Sequence, residues 1–199
     1  MKKLTSTLPN MLLSLTGICF VAATILSVVD RVTKDVIEKS KVEALEKAIG
    51  QVTPEFDNSP LAEAQRIAVE GDTLIVYPAK KSGVLKGVAI ETVSHNGFSG
   101  DVKILLGLEA DGKIKDYSVL EMTETPGLGD KMISWFKDNT GARSILGLSV
   151  NDAPLTVSKD NGRVDAITAA TISSRAFLDA VNKGFKAYGA YTQNSSEQK

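Results

Sequence analysis

The apolar positions of the chain change rhythm three times. From Met11 to Val29 there is no charged side chain, a run just long enough to cross the hydrocarbon core of a bilayer as one helix. Beyond it Val32, Val36, Lys39, Val42, Leu45 and Ile49 trace a mostly apolar stripe among charged residues, the spacing of an amphipathic helix that stops at Gly50. Pro54, Asp57, Asn58, Ser59 and Pro60 then mark a loop with a short helical piece. From about residue 66 the period drops to that of strands, predicted at 73–77, 85–93, 102–108, 114–120 and as a last pair at 155–157 and 163–167. Asp111-Gly112 and Asn161-Gly162 would close two hairpins, since both dipeptides accept the positive φ of tight turns. Behind these strands Phe177, Val181, Phe185 and Tyr188 recur at helical spacing and fall on one face.

Strands clustered before and between two helices, rather than alternating with them, predict an α+β fold. Its layout is an N-terminal transmembrane helix followed by a mainly antiparallel sheet domain with flanking helices. The expected segments are a tail at 1–10, the span at 11–29, a linker helix and loop at 30–65, the domain at 66–190 and a disordered tail at 191–199. The span reads as a retained anchor, because it runs straight into Asp30-Arg31; signal cleavage after Ala22 or Ala23 is the alternative. The linker stripe suits either packing on the domain or docking on neighbouring membrane subunits. Lys2 and Lys3 on one side of the span are matched by Arg31, Lys34, Lys39 and Lys41 on the other, so charge alone leaves its orientation open.

Composition removes most rival chemistries. With 23 Lys plus Arg against 24 Asp plus Glu in 199 residues there is no basic footprint for nucleic acid. The one cysteine, Cys19, lies in the apolar run, which excludes an intrachain disulfide and any Cys-based iron–sulfur or zinc cluster. The one histidine, His95, reads as an exposed turn residue beside Asn96-Gly97, and a multi-histidine metal site or a serine hydrolase built on a Ser-His-Asp set has no support. No glycine fingerprint of a dinucleotide or nucleoside triphosphate site follows any strand.

Two short stretches carry the remaining chemistry. In Asp165–Ser174, hydroxyls and small residues stand just ahead of the C-terminal helix, with Ser173 or Ser174 expected to cap it. Free N–H groups and the positive helix end would then face Thr171, an arrangement that favours an anion; the same residues could equally serve as caps alone. In Glu124–Lys131, Pro126 sets a turn, Gly127 and Gly129 allow conformations closed to other residues, and Asp130 would cap a helix carrying Met132, Trp135 and Phe136. Trp135 is expected in the core.

These stretches resemble a known family. Asp165, Thr168, Ala169, Ala170 and Thr171 match the spacing of the Asp-x-x-(Ser/Thr)-Gly-Ala-(Ser/Thr) signature of flavin-transferase substrates, with Ala169 where the signature has Gly. Glu124-Thr125-Pro126-Gly127-Leu128-Gly129 looks like the Glu-Thr-Pro-Gly-x-Gly loop of the FMN-binding domain shared by the Rnf G and Nqr C subunits, and Asn96–Val102 is similar to that domain's Gly-aromatic-x-Gly approach to a strand. The resemblance implies FMN joined to Thr171 by a phosphoester, placed there by a separate Mg²⁺-dependent transferase that consumes FAD. It implies that Glu124, Thr125, Gly127 and Leu128 form the loop against the flavin. Thr168, Ala169 and Ala170 would flank the attachment, and N–H groups near Ile172 and Ser173 would meet the phosphate.

The function so implied is electron transfer within a membrane complex, with no complete active site in this chain. The compact length fits the Rnf member, which works in an ion-pumping ferredoxin:NAD⁺ oxidoreductase, better than the longer Nqr C. Implied partners are the other membrane subunits, including a second flavin subunit and an iron–sulfur centre, with the transferase during maturation and no nucleic acid. Implied placement is a single pass of the bacterial inner membrane, N-terminus cytoplasmic and domain extracytoplasmic. A non-redox anchored binding module would explain the anchor and the sheet equally well, but not the two motifs together.

Overall fold

The computed structural model describes residues 7–197, which divide between Leu45 and Glu46 into two compact units. The first unit is helical. It holds the greater part of α1 (Leu8–Val52), whose residues from Glu46 on belong to the second unit, and leaves Leu12, Leu13, Ile18, Phe20 and Ile25 exposed, with none of the most apolar stretch buried. Among the described residues α1 is the one helix long and apolar enough to cross a membrane. The expected division into a span and a separate linker helix does not occur: nothing from Asp30 to Ala48 is Gly or Pro, and helical hydrogen bonding continues to Val52 rather than stopping at Gly50. Of the expected N-terminal tail, residues 1–6 lie outside the described residues and 8–10 are already helix.

The second unit is built on a five-stranded antiparallel meander in the order β1 (Gln65–Val69), β2 (Asp72–Lys81), β3 (Val84–Ser94), β4 (Val102–Glu109) and β5 (Ile114–Met122). One face of this sheet packs on α3 (Thr171–Glu197). Ile104, Leu106 and Leu108 of β4 lie here in one buried cluster with Phe177, Val181, Phe185 and Tyr188, the helical face predicted from sequence. Gly184 lets the helix approach closely, since a Cβ there would lie 2.8 Å from Leu106 Cδ2. The opposite face is covered by the end of α1, where Ala48, Ile49 and Val52 are buried. Gly107 of β4 sits directly beneath it, where a Cβ would lie 2.0 Å from the Val52 carbonyl oxygen. Covering on both faces is why β4 reads as a continuous apolar run rather than an alternation.

Four expectations change. The strand β1 is additional; Glu70-Gly71 and Ser82-Gly83, all at positive φ, close the first two hairpins. The pair at 155–167 is not a hairpin but a single parallel bridge between Val157 and Val164, because the Asn182 side chain on α3 takes the backbone N–H and C=O of Leu155 at 2.7 and 2.9 Å. The helix after Glu124–Lys131 is short, a 3₁₀ turn at Gly129–Lys131 running into α2 (Met132–Trp135). Residues 191–197, expected as tail, continue α3, with Tyr191 buried.

Candidate functional site

An aromatic stack brings the segment after β5 to the start of α3. Phe136 lies flat on Phe177, with ring centroids 4.3 Å apart, and Tyr117 meets the same ring edge-on at 4.8 Å. The Tyr117 hydroxyl donates to the Met132 carbonyl at 2.6 Å, which fastens α2 to β5. Between them the Glu124–Gly129 loop and the first turn of α3 face each other across a cleft of about 280 Å³. Of the residues expected at the site, Glu124, Thr125, Leu128, Ala169, Ala170, Thr171, Ile172 and Ser173 line it.

Glu124 joins three segments. Its carboxylate is buried; Oε1 accepts the Phe98 N–H at 2.7 Å and Oε2 accepts the Ser173 hydroxyl at 2.8 Å. A buried charge requires such donors, and they come from the 96–100 loop on one side and α3 on the other. Gly129 is required by the same contact, since a Cβ there would lie 2.7 Å from Ser173 Oγ and 2.8 Å from Glu124 Oε2. Phe98, expected only near the start of a strand, instead leaves its ring largely exposed on the cleft wall. Gly-aromatic-x-Gly was the available signal, but only tertiary pairing with Glu124 brings it here.

Thr171 opens α3. Among the described residues the backbone N–H groups of Thr171, Ile172 and Ser173 meet no acceptor, and the first intrahelical bond runs from Ser174 N–H to the Ala170 carbonyl. Neither serine caps the helix from outside, contrary to expectation; both lie within its first turn. Ser174 Oγ accepts the Ile167 N–H at 2.9 Å and donates to the Ala170 carbonyl at 2.9 Å, locking the preceding turn. That turn places Ala169 at φ +62, left-handed backbone that costs an L-residue about 1–2 kcal/mol and glycine almost nothing. The position where the signature carries Gly is therefore one where backbone conformation favours Gly. The Thr171 hydroxyl accepts a hydrogen bond from Lys159 Nζ at 3.1 Å, a contact the sequence did not reveal.

Other residues stand away from the cleft. Thr168 and Gly127 are exposed and do not line it; Gly127 has φ +78 with open space around its Cα. Asp165 is a strut, bonded to Ala142 through backbone and carboxylate, and its carbonyl accepts the Trp135 indole N–H at 2.8 Å. Trp135 packs against the core, as expected, with the Arg143 guanidinium over its ring. Asp130 makes no cap bond, and its Oδ1 is buried without a partner among the described residues. His95 is more than a turn residue: its ring bridges Asp101 at 2.9 Å and Asp72 at 3.1 Å. Those carboxylates, Asp101 foremost, raise its pKa above the ordinary value. Asp72 also receives Lys183 of α3 at 2.7 Å, and that lysine chiefly holds its carboxyl below the usual range.

The chain has clear relatives. Residues 97–186 match the FMN-binding domain family, a span that contains the cleft. The chain is 32% identical over 169 residues to the G subunit of the ion-translocating oxidoreductase complex of Vibrio atlanticus, covering 80% of this chain and 79% of that protein. It is 30% identical over 176 residues to the protein of the same name in Vibrio cholerae, covering 83% of each. With the G subunit of the Na⁺-translocating ferredoxin:NAD⁺ oxidoreductase complex of Acetobacterium woodii it shares 32% identity over 178 residues, 84% of this chain and 85% of that one.

Proposed function

The chain belongs to the G-subunit family of ion-translocating oxidoreductase complexes, and from that membership we propose that it carries FMN covalently at Thr171 and relays electrons within such a complex. The observation that carries the attachment is Thr171 itself, a half-buried hydroxyl at the first residue of a long helix, at the cleft, with three unpartnered N–H groups beside it. Those N–H groups and the helix dipole suit a phosphate. The cleft, at about 280 Å³ just below the usual ligand-site range of about 300–1,000 Å³, suits a ligand held partly outside it.

Attachment would consume FAD: Thr171 Oγ1 would bond the phosphorus of the FMN half as the pyrophosphate bond breaks, with the hydroxyl proton leaving with AMP. Bound FMN supplies the reversible redox chemistry. The protein's part is placement. Ile172 and Ser173 N–H groups would hold the phosphate, Glu124 pins the 96–100 loop to α3, and Phe98 and Leu128 would offer apolar walls. Thr125, Gly127, Thr168, Ala169 and Ala170 shape the approach.

The α1 span anchors the domain to the membrane, and the partners are the other membrane subunits of the complex, with an iron–sulfur centre on one side of the flavin in the electron path and a second flavin subunit on the other. A domain outside the cytoplasm gives the covalent bond its purpose, because cofactor lost there is not replaced. Cells making the flavin transferase should give a flavin-fluorescent band at this chain on a denaturing gel, abolished in Thr171→Ala. A dark wild-type band would sink the reading, and a bright Thr171→Ala band would move the attachment to another hydroxyl. The side is tested with Ser99→Cys, at an exposed position: a membrane-impermeant thiol reagent should label it in spheroplasts, and labelling only after lysis would reverse the orientation.

A further inference from the structure

We infer that Lys159 is the charge partner of the phosphodiester at Thr171, a positioning residue that restrains the tether; this rests on the reading that Thr171 carries the flavin. Lys159 donates to Thr171 Oγ1 at 3.1 Å and makes no ion pair among the described residues. Its neighbour Asp160 is fully engaged elsewhere: both carboxylate oxygens receive Arg175, at 2.7 Å from Nε and 2.6 Å from the terminal guanidinium nitrogen. Two adjacent residues of opposite charge therefore point to two places one helical turn apart on α3, Asp160 to Arg175 and Lys159 to Thr171.

The turn that presents them is rigid. Ser158 N–H bonds the Val164 carbonyl at 2.8 Å and Gly162 N–H bonds the Val157 carbonyl at 3.0 Å. Asn161 holds a left-handed conformation at φ +61, and a Cβ at Gly162 would lie 2.1 Å from the Thr156 carbonyl oxygen. Such a turn places an ammonium beside the hydroxyl without ordering a mobile loop. Esterification leaves one negative charge on the phosphodiester at that oxygen. The N–H groups of α3 provide partial positive charge from the protein side, and Lys159 provides the full countercharge from the solvent side. Because the pair is exposed, it is sensitive to salt.

The full chain, matured by the transferase and purified in detergent, separates the ideas when wild type, Thr171→Ala, Lys159→Gln and Lys159→Arg are compared. Readouts are in-gel flavin fluorescence, then flavin fluorescence anisotropy and the ³¹P signal of the folded protein over a salt series. The expected result is a labelled Lys159→Gln with lowered anisotropy and a moved ³¹P signal, while Lys159→Arg matches wild type. Raising salt should lower the wild-type anisotropy toward that of Lys159→Gln and leave the variant unmoved, a response that a purely structural defect would not give. A Lys159→Gln chain that stays dark while Lys159→Arg is bright also supports the role, showing that the cation is needed already for attachment. Lys159→Gln indistinguishable from wild type in anisotropy and ³¹P signal overturns it, as do equal losses in the Gln and Arg variants. A dark wild-type band overturns the Thr171 reading itself.

Discussion

The first turn of α3 and the rest of that helix use their polar groups in opposite ways. From Ala176 onward the helix is sewn to the sheet. The Ala180 carbonyl accepts Thr92 Oγ1 at 2.8 Å, Asp179 accepts Ser94 Oγ at 2.6 Å, and Lys183 reaches Asp72. In the first turn the hydroxyls form a graded series instead. Ser174 is fully buried and bonded on both sides, Ser173 is buried and bonded to Glu124, and the Thr171 hydroxyl meets, among the described residues, only a surface lysine. The difference teaches where folding stops making demands: the hydroxyl of that turn least used by the fold is the one the proposed attachment would use.

Substitutions along the helix should reproduce that gradient, with the largest effect first. Phe177→Ala removes the ring shared by Tyr117 and Phe136 and should cost about 3–5 kcal/mol in denaturant unfolding. A loss below about 1 kcal/mol would mean the stack does not hold the loop to the helix. Ser174→Ala strips the Ile167 N–H of its buried acceptor and should cost about 1–3 kcal/mol. Ala169→Gly should run the other way, stabilising by about 0.5–1 kcal/mol as the left-handed backbone is relieved. Destabilisation there would show that the methyl makes contacts worth more than the strain.

The histidine bridge should give a smaller effect that depends on pH. His95 has its pKa raised above the ordinary 6.5, so its contribution is complete below that value and disappears as pH climbs through the raised one. The melting midpoint of wild type should exceed that of His95→Gln at about pH 5 and converge with it by about pH 9. A gap that widens with pH would reverse the sign. At the end of the series Thr171→Ala should change stability by less than about 0.5 kcal/mol while abolishing flavin labelling altogether. If it unfolds the domain, the contrast drawn between the two parts of α3 is lost.

Much of this was legible in the chain and some was not. Strands β2 to β5 and the face of α3 were read from their apolar runs and repeats, because burial on a sheet or helix imprints a local pattern. β1 was not, since Gln65 and Arg66 interrupt the pattern of an edge strand and leave only Ile67 and Val69 to mark it. The 155–167 pair looked like a hairpin because the dipeptide Asn161-Gly162 accepts the positive φ such a turn needs, yet Asn182, distant in sequence, claims backbone that a ladder would have used. At the site, the two motifs located the loop and the helix start. Phe98 and Lys159 stayed hidden because their roles depend on contacts with residues 26 and 12 positions away.

The sequence by itself determined the apolar span, the strand-rich domain, the glycine-rich loop and the hydroxyl cluster ahead of a helix, all properties of residues within one or two turns of each other. Only the tertiary structure decided that Glu124 would couple that loop to that helix, that Ala169 would be held left-handed, and that Lys159 would stand at Thr171, whose hydroxyl makes no other bond among the described residues. The physical reason is range. Periodicity and turn preference act between near neighbours, whereas the closing of a cleft is settled by packing: the Phe136, Phe177 and Tyr117 rings and the Asp160–Arg175 pair bring together segments that carry no mark of one another.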